Sequence, residues 1–250
     1  MKPGKALGFL AAYNVFQNVV LKKRGYVAGN LIATSVGLAL ARRSGHEWRD
    51  LGLAKDDARK GLKMGMGVAA AAVVTALLLR EHERARGILN DERLHDLTDR
   101  EARFRLLVRF PLGTALFEEV WFRGILPAAL REHGVKRPEL VSMAAFAAWH
   151  LIPTAAAINA NEGGGSMSKG QKSLLVIGGS VSAGLGGLGF AAMRKVTSSL
   201  VAPWVAHATF NGLSFCTAMR HRRSVSTSQP RKSGFPPTGI SLTGWSPIGS

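Results

Sequence analysis

Two adjacent carboxylates and an arginine, Glu118-Glu119-Val-Trp-Phe-Arg123, interrupt an otherwise apolar stretch from Leu106 to Leu130. On a translocon scale, one charged residue at the centre of a membrane helix costs about 2.5–3.5 kcal/mol. Three of them must therefore pair or face a polar cavity. Pro111 suits the first turn of a helix here, and Pro127 is expected to end or kink it. Glu119 and Arg123 stand four apart, so they share a helix face and can form an ion pair. Glu118 is rotated by about 100° from Glu119 and should point elsewhere. One neutralised carboxylate beside a free one suits a general base with a structural neighbour. A buried ion pair that locks helix packing, with a spare acid, is the plain alternative.

The rest of the chain repeats the apolar theme. Its 250 residues carry a formal charge of +17, yet 46% are hydrophobic. Those residues are segregated into blocks: Ala6 to Leu21, Tyr26 to Ala41, Met64 to Leu79, Leu106 to Leu130, Leu140 to Ile158, Leu174 to Met193 and Ser198 to Met219. Long apolar runs between short charged connectors predict an all-α, polytopic transmembrane bundle of about seven helices. The cations cluster at block ends, as in Lys22-Lys23-Arg24, Arg42-Arg43 and Arg222-Arg223. That placement suits anchors in the headgroup region of a lipid bilayer. A nucleic-acid partner is not expected, because no basic face or finger spelling accompanies the charge. The multi-pass pattern points to the cell membrane.

The connectors and small residues carry further expectations. Lys2 and Lys5 precede an apolar run that resembles a signal sequence, but Asn14, Gln17 and Asn18 inside it argue for a retained first helix. Those three residues and Asn30 suit hydrogen bonds between helices. Arg43 to Lys63 reads as a polar loop, and Gly61 and Gly65 have the spacing of a close helix approach. Arg80 to Arg105 reads as a surface connector, ending in a capping box, Thr98-Asp-Arg-Glu101. Gly134 is a helix stop. Asn159 to Ser173 reads as a flexible loop, and the glycines from Gly178 to Gly189 as tight helix packing rather than a nucleotide loop. The lone Cys216 suits a small packing residue. The chain thus divides into residues 1–105, with N-terminal membrane helices and a surface connector; 106–219, a catalytic membrane core; and 220–250, a basic tail too poor in apolar residues to fold.

Three apolar blocks bring polar groups to membrane depth: Glu118, Glu119 and Arg123; then His150; then His207 and Asn211, four apart on one face. Together they suggest one shared polar cavity. A carboxylate beside a neutral imidazole can deprotonate water, and an imidazole with an amide can donate to an oxyanion. That is peptide hydrolysis without a covalent intermediate, since the set holds no Ser or Cys. This reading needs no cofactor. Glu118, His150 and His207 also make a His₂Glu set of the kind that holds catalytic zinc, and the residue types leave that route open.

Glu118-Glu119-x-x-x-Arg123, Phe146-x-x-x-His150 and His207-x-x-x-Asn211, in that order on successive apolar segments, resemble the three motifs of the CPBP family, the CAAX-protease and bacteriocin-processing (Abi) intramembrane proteases. The likeness runs from about Arg105 to Phe215. It implies an all-α membrane endopeptidase acting on a peptide or membrane-protein substrate. It further implies that Glu118 activates water with His150, that His207 and Asn211 hold the oxyanion, and that Glu119 and Arg123 support the site. The family is commonly labelled as metalloproteases, and a metal-free glutamate mechanism is also proposed for it. A proton-coupled transporter, whose path these groups would line, and a non-catalytic scaffold are the readings from other classes; no internal repeat supports transport.

Overall fold

The computed structural model describes residues 1–21, 25–79, 97–160 and 167–228, with side chains as far as 219. Among these residues every regular element is helical. Helix α1, Pro3–Val15, continues as a π-helical turn, Phe16–Val20. Helix α2 spans Tyr26–Arg43 and α3 spans Lys55–Leu78. Helix α4 runs without a break over residues 99–132. Then come α5, Pro138–Trp149, α6, Leu151–Ala160, α7, Lys169–Thr197, and α8, Val201–Ser228.

By length and composition, three spans are long and apolar enough to cross a membrane: Lys55–Leu78, Pro138–Ala160 and Lys169–Thr197. The other helices are shorter or, like α4, carry charge inside the apolar run. The core is apolar around Phe117, Trp121 and Phe122 but also encloses polar groups, while large apolar side chains face outward. Asn14, Asn30, Thr34, Glu118, Glu119, Arg123, Ser142, Ser180 and His207 are buried, whereas Val19, Ile32, Met66, Leu107, Leu174 and Leu185 are exposed. Water rewards the opposite distribution, so these outward faces suit lipid.

Helix α4 departs from the sequence expectation. Its start is as expected: the Thr98 hydroxyl accepts from the Glu101 N–H, and the Glu101 side chain accepts from the Thr98 N–H. Pro111, however, opens no helix. It lies inside a π-helical stretch, Arg105–Ala115. In an α-helix, proline deletes a bond and clashes with the carbonyl four residues back. The wider register spreads that turn, and the Pro111 carbonyl accepts from the Leu116 N–H and from the Trp204 indole at 2.8 Å. Pro127 does not end the helix either. It falls in the first turn of the α-helical piece Leu126–Glu132, directly after a second π stretch, Val120–Ile125, where a missing N–H is tolerated. The stop comes where glycine supplies it, at Gly134 with φ of 74°, closed by a bond from the Val135 N–H to the Leu130 carbonyl.

Other connectors are also shorter than the charge pattern suggested. The loop expected over 43–63 ends at Ala54, because Asp56 and Asp57 sit in the first turn of α3, where negative charge is favoured. Helix α7 begins at Lys169 behind a second capping box, Ser168 with Gln171, inside the expected loop. Residues 161–166 of that loop and 80–96 of the surface connector lie outside the described residues. Helix α8 continues to Ser228, past the boundary drawn at 219, and 229–250 of the tail lie outside as well.

The glycine pair behaves as its spacing suggests. A Cβ on Gly61 would meet Ser199 at 2.7 Å, and one on Gly65 would meet Val205 at 2.9 Å and the Ala202 carbonyl at 3.0 Å. Helices α3 and α8 therefore touch backbone to backbone. Gly65→Leu should cost about 1–3 kcal/mol through overpacking. Gly67→Leu, at a site with nothing within 4 Å, should leave stability unchanged. Melting of the two variants in detergent checks this, and equal melting temperatures would remove the close approach as a stabilising contact. In the glycine run of α7 the packing is one-sided: Gly179, Gly184 and Gly187 meet Thr154, Ala147 and Phe146, while Gly178, Gly186 and Gly189 have nothing within 4 Å.

The polar residues of α1 and α2 divide. The Asn14 amide donates to the Trp149 carbonyl at 3.1 Å, and Asn30 donates to the Gly113 carbonyl at 2.6 Å and accepts from Tyr13. Asn18 bonds back within its own helix to Asn14. Gln17 is buried, with Oε1 unpartnered among the described residues.

Candidate functional site

The site centres on His207 of α8, which lies between the two carboxylates of α4. Its Nδ1 is 2.7 Å from Glu119 Oε1, and its Nε2 is 3.6 Å from Glu118 Oε2. Arg123 Nη1 stands 3.2 Å from Glu119 Oε1, an ion pair rather than an aligned hydrogen bond. Glu118, Glu119, Arg123 and His207 are all buried, Glu119 completely.

Both carboxylates thus converge on one imidazole, and Glu118 does not point away from the ion pair. The reason is local. Both glutamates lie in the α-helical turn Leu116–Glu119, and the His207 ring stands between their diverging side chains, offering one nitrogen to each. The chemistry of the pair still differs. Glu119 is shared between Arg123 and His207. Glu118 Oε1 accepts from the Trp149 indole at 3.1 Å, and Oε2 makes no hydrogen bond among the described residues.

The aromatic packing fixes these groups. The His207 ring stacks on Phe190, centroids 4.9 Å apart and 16° from parallel. The Arg123 guanidinium lies 4.0 Å above the Phe146 ring and 5.4 Å from that of Phe190. A cation held over an aromatic face is stabilised most where water is absent. Gly187 makes room for the guanidinium: a Cβ there would stand 2.6 Å from Nη2.

His150 stands at the break between α5 and α6, half-buried. Its Nδ1 is 2.8 Å from the Phe146 carbonyl. A carbonyl only accepts, so Nδ1 carries the proton and Nε2 keeps its lone pair in the neutral ring. Among the described residues no hydrogen bond or ion pair joins His150 to Glu118. Asn211, one turn beyond His207, is half-buried and makes no hydrogen bond among the described residues. The structure therefore gathers four of the six motif residues into one bonded group and leaves His150 and Asn211 beside it with unused polar atoms.

A zinc ion would need Glu118, His150 and His207 to converge. The structure does not group them as ligands. Among the described residues no three His, Cys, Asp or Glu side chains are grouped as metal ligands. No step below runs through a metal.

Sequence reasoning missed Trp149. Its indole holds Glu118, and its carbonyl is held by Asn14. Its ring packs between Phe117 and Phe122, centroids 5.3 and 5.6 Å away. Its position next to His150 was the available signal, obscured because tryptophan in an apolar block reads as packing.

Residues 101–213 match the family model described as type II CAAX prenyl endopeptidase Rce1-like. The match covers somewhat under half of the chain and contains all six motif residues. It agrees with the family that the three motifs resemble. No curated protein and no solved structure matches the chain.

Proposed function

We propose that this chain, which carries a CAAX-endopeptidase-type Rce1-like segment at residues 101–213, is a multi-pass intramembrane endopeptidase that cleaves peptide or membrane-protein substrates with a glutamate-activated water. Seven crossings follow if α5 and α6 form one span and α1, α2, α4 and α8 join the three apolar ones. The apolar exterior supports that reading, since buried polar groups beneath lipid-facing side chains make little sense in water.

The observation that carries the mechanism is Oε2 of buried Glu118, which accepts no hydrogen bond among the described residues and faces His207 Nε2 at 3.6 Å. A buried acceptor without a hydrogen bond costs about 1–3 kcal/mol; Glu119 Oε2 shares that state, but Glu119 is held by Arg123 and His207 through Oε1, which leaves Glu118 as the carboxylate without a cation of its own in the helix. In the proposed step, a water donates to Oε2 and its oxygen attacks the substrate carbonyl. Glu118 takes the proton. Asn211, whose amide is unused, donates to the oxyanion, and His207 adds a second donor where Nε2 carries a proton besides the one that Nδ1 gives to Glu119. His150, with its lone-pair nitrogen, orients the water, and the proton on Glu118 passes to the leaving amine. Glu119 and Arg123 hold His207 in place.

The test compares membrane-proteome N-termini in cells with the wild-type chain and with Glu118→Gln at equal abundance. New termini should occur only with the wild type, and their sequences would name the substrate class. Identical termini across growth conditions would move the weight to a proton path or a scaffold. Metal dependence is checked on purified protein. Stripping with a chelator should leave cleavage unchanged while melting confirms an intact fold. Activity that disappears and returns with zinc would replace the metal-free step.

A further inference from the structure

We propose that the crevice between α4, α5 and α7 binds a phosphate-type anion, either the headgroup of an anionic lipid or free phosphate. The crevice is a cavity of about 180 Å³ lined by Arg123, Arg131, Arg194 and Lys195, with one carboxylate, Glu139. Arg131 and Glu139 neutralise one another at 3.0 Å. Arg123 forms the floor, 4% exposed, and its carboxylate partner Glu119 lies behind it in the catalytic group. That leaves Arg194 and Lys195 in excess. Arg194 Nη2 donates to the Arg49 and Asp50 carbonyls at 3.1 Å each, with its guanidinium packed on Gly52, so among the described residues the side chain borders the crevice as a cation bonded only to neutral carbonyls. Asp50 and Asp57 are near enough to act on Arg194 through space, yet neither forms an ion pair with it. Lys195 is exposed and makes no bond among the described residues.

Cations gathered in a partly buried crevice repel one another unless an anion joins them. Guanidinium forks and an ammonium match the oxygens of a phosphoryl group in geometry as well as charge. The location fits a headgroup, since Arg194 and Lys195 belong to the last turn of α7 and Arg131 to that of α4. The site stands on the cavity and its charges, and does not depend on the proteolytic reading.

The test is native mass spectrometry of the full chain in neutral detergent, with dihexanoyl phosphatidic acid, dihexanoyl phosphatidylcholine and inorganic phosphate as probes. Lys195→Glu reverses one cation, and Ala191→Leu fills the cavity from its wall; a melting curve confirms that each is folded, and either alone suffices. Wild type should hold one phosphatidic acid about tenfold more tightly than either variant, and more tightly than phosphatidylcholine. Displacement by inorganic phosphate identifies the phosphoryl group as the recognised part. Phosphate bound by wild type in preference to the lipid assigns the site to the free ion. Equal retention of both lipids, variants that bind as wild type does, or no binding of any probe by wild type would overturn the proposal.

Discussion

Glu118→Gln is expected to lower the cleavage rate by about 10²–10⁴-fold, the usual worth of a positioned general base, with abundance and melting temperature unchanged. The substitution is close to isosteric. Its amide oxygen can still accept from the Trp149 indole, which stands 3.1 Å from Oε1 in the wild type. Its amide group still faces the His207 Nε2, which stands 3.6 Å from Oε2 in the wild type. One of two carboxylates around a single guanidinium disappears, so the buried group carries less unbalanced negative charge. What is lost is an acceptor able to take a proton from water. The rate loss should fall on kcat, because the carboxylate is assigned to the chemical step and not to substrate binding. Wild-type cleavage by this variant, measured on any substrate the termini comparison supplies, would remove Glu118 as the base.

The residues of the site were legible in the sequence and their arrangement was not. Charge inside an apolar run is costly wherever the helix sits, so Glu118, Glu119 and Arg123 declare themselves from residue type alone. The ion pair four residues apart forms, at 3.2 Å. The convergence of both carboxylates on His207 was hidden, because it depends on where α8 places an imidazole against α4. Nothing in the composition of Arg105–Ala115 or Val120–Ile125 marks a wider register, apart from a proline where an α-helix should not carry one. The same held for helix starts. Lys55 to Lys63 looks like loop because it is charged, yet its two aspartates stand where a helix dipole favours them. Trp149 illustrates the remaining gap: a donor that reaches a carboxylate from another helix has no signature of its own in one dimension.

Arg123→Met is expected to destabilise the fold by about 3–5 kcal/mol, the cost of leaving one partner of a buried ion pair behind. Glu119 is completely buried, and without Arg123 its one remaining partner is His207. The cation over Phe146 is lost as well. The pairing claim is tested by Glu119→Gln combined with Arg123→Met. The neutral amide still accepts from His207 Nδ1, so the double variant should recover more than half of the stability lost by the single one, read from unfolding midpoints in a mixed-detergent titration. A double variant as unstable as Arg123→Met alone would mean that Arg123 acts by filling space between α4 and α7. The double variant also separates the catalytic reading from the packing lock that the sequence left open. If Glu119 and Arg123 only lock the helices, restored stability restores cleavage. If their charges orient His207 for the oxyanion, the refolded double variant stays slow, with kcat reduced and KM near that of wild type. The second outcome is expected, because the negative charge of Glu119, 2.7 Å from Nδ1, holds the ring more strongly than a neutral amide oxygen does.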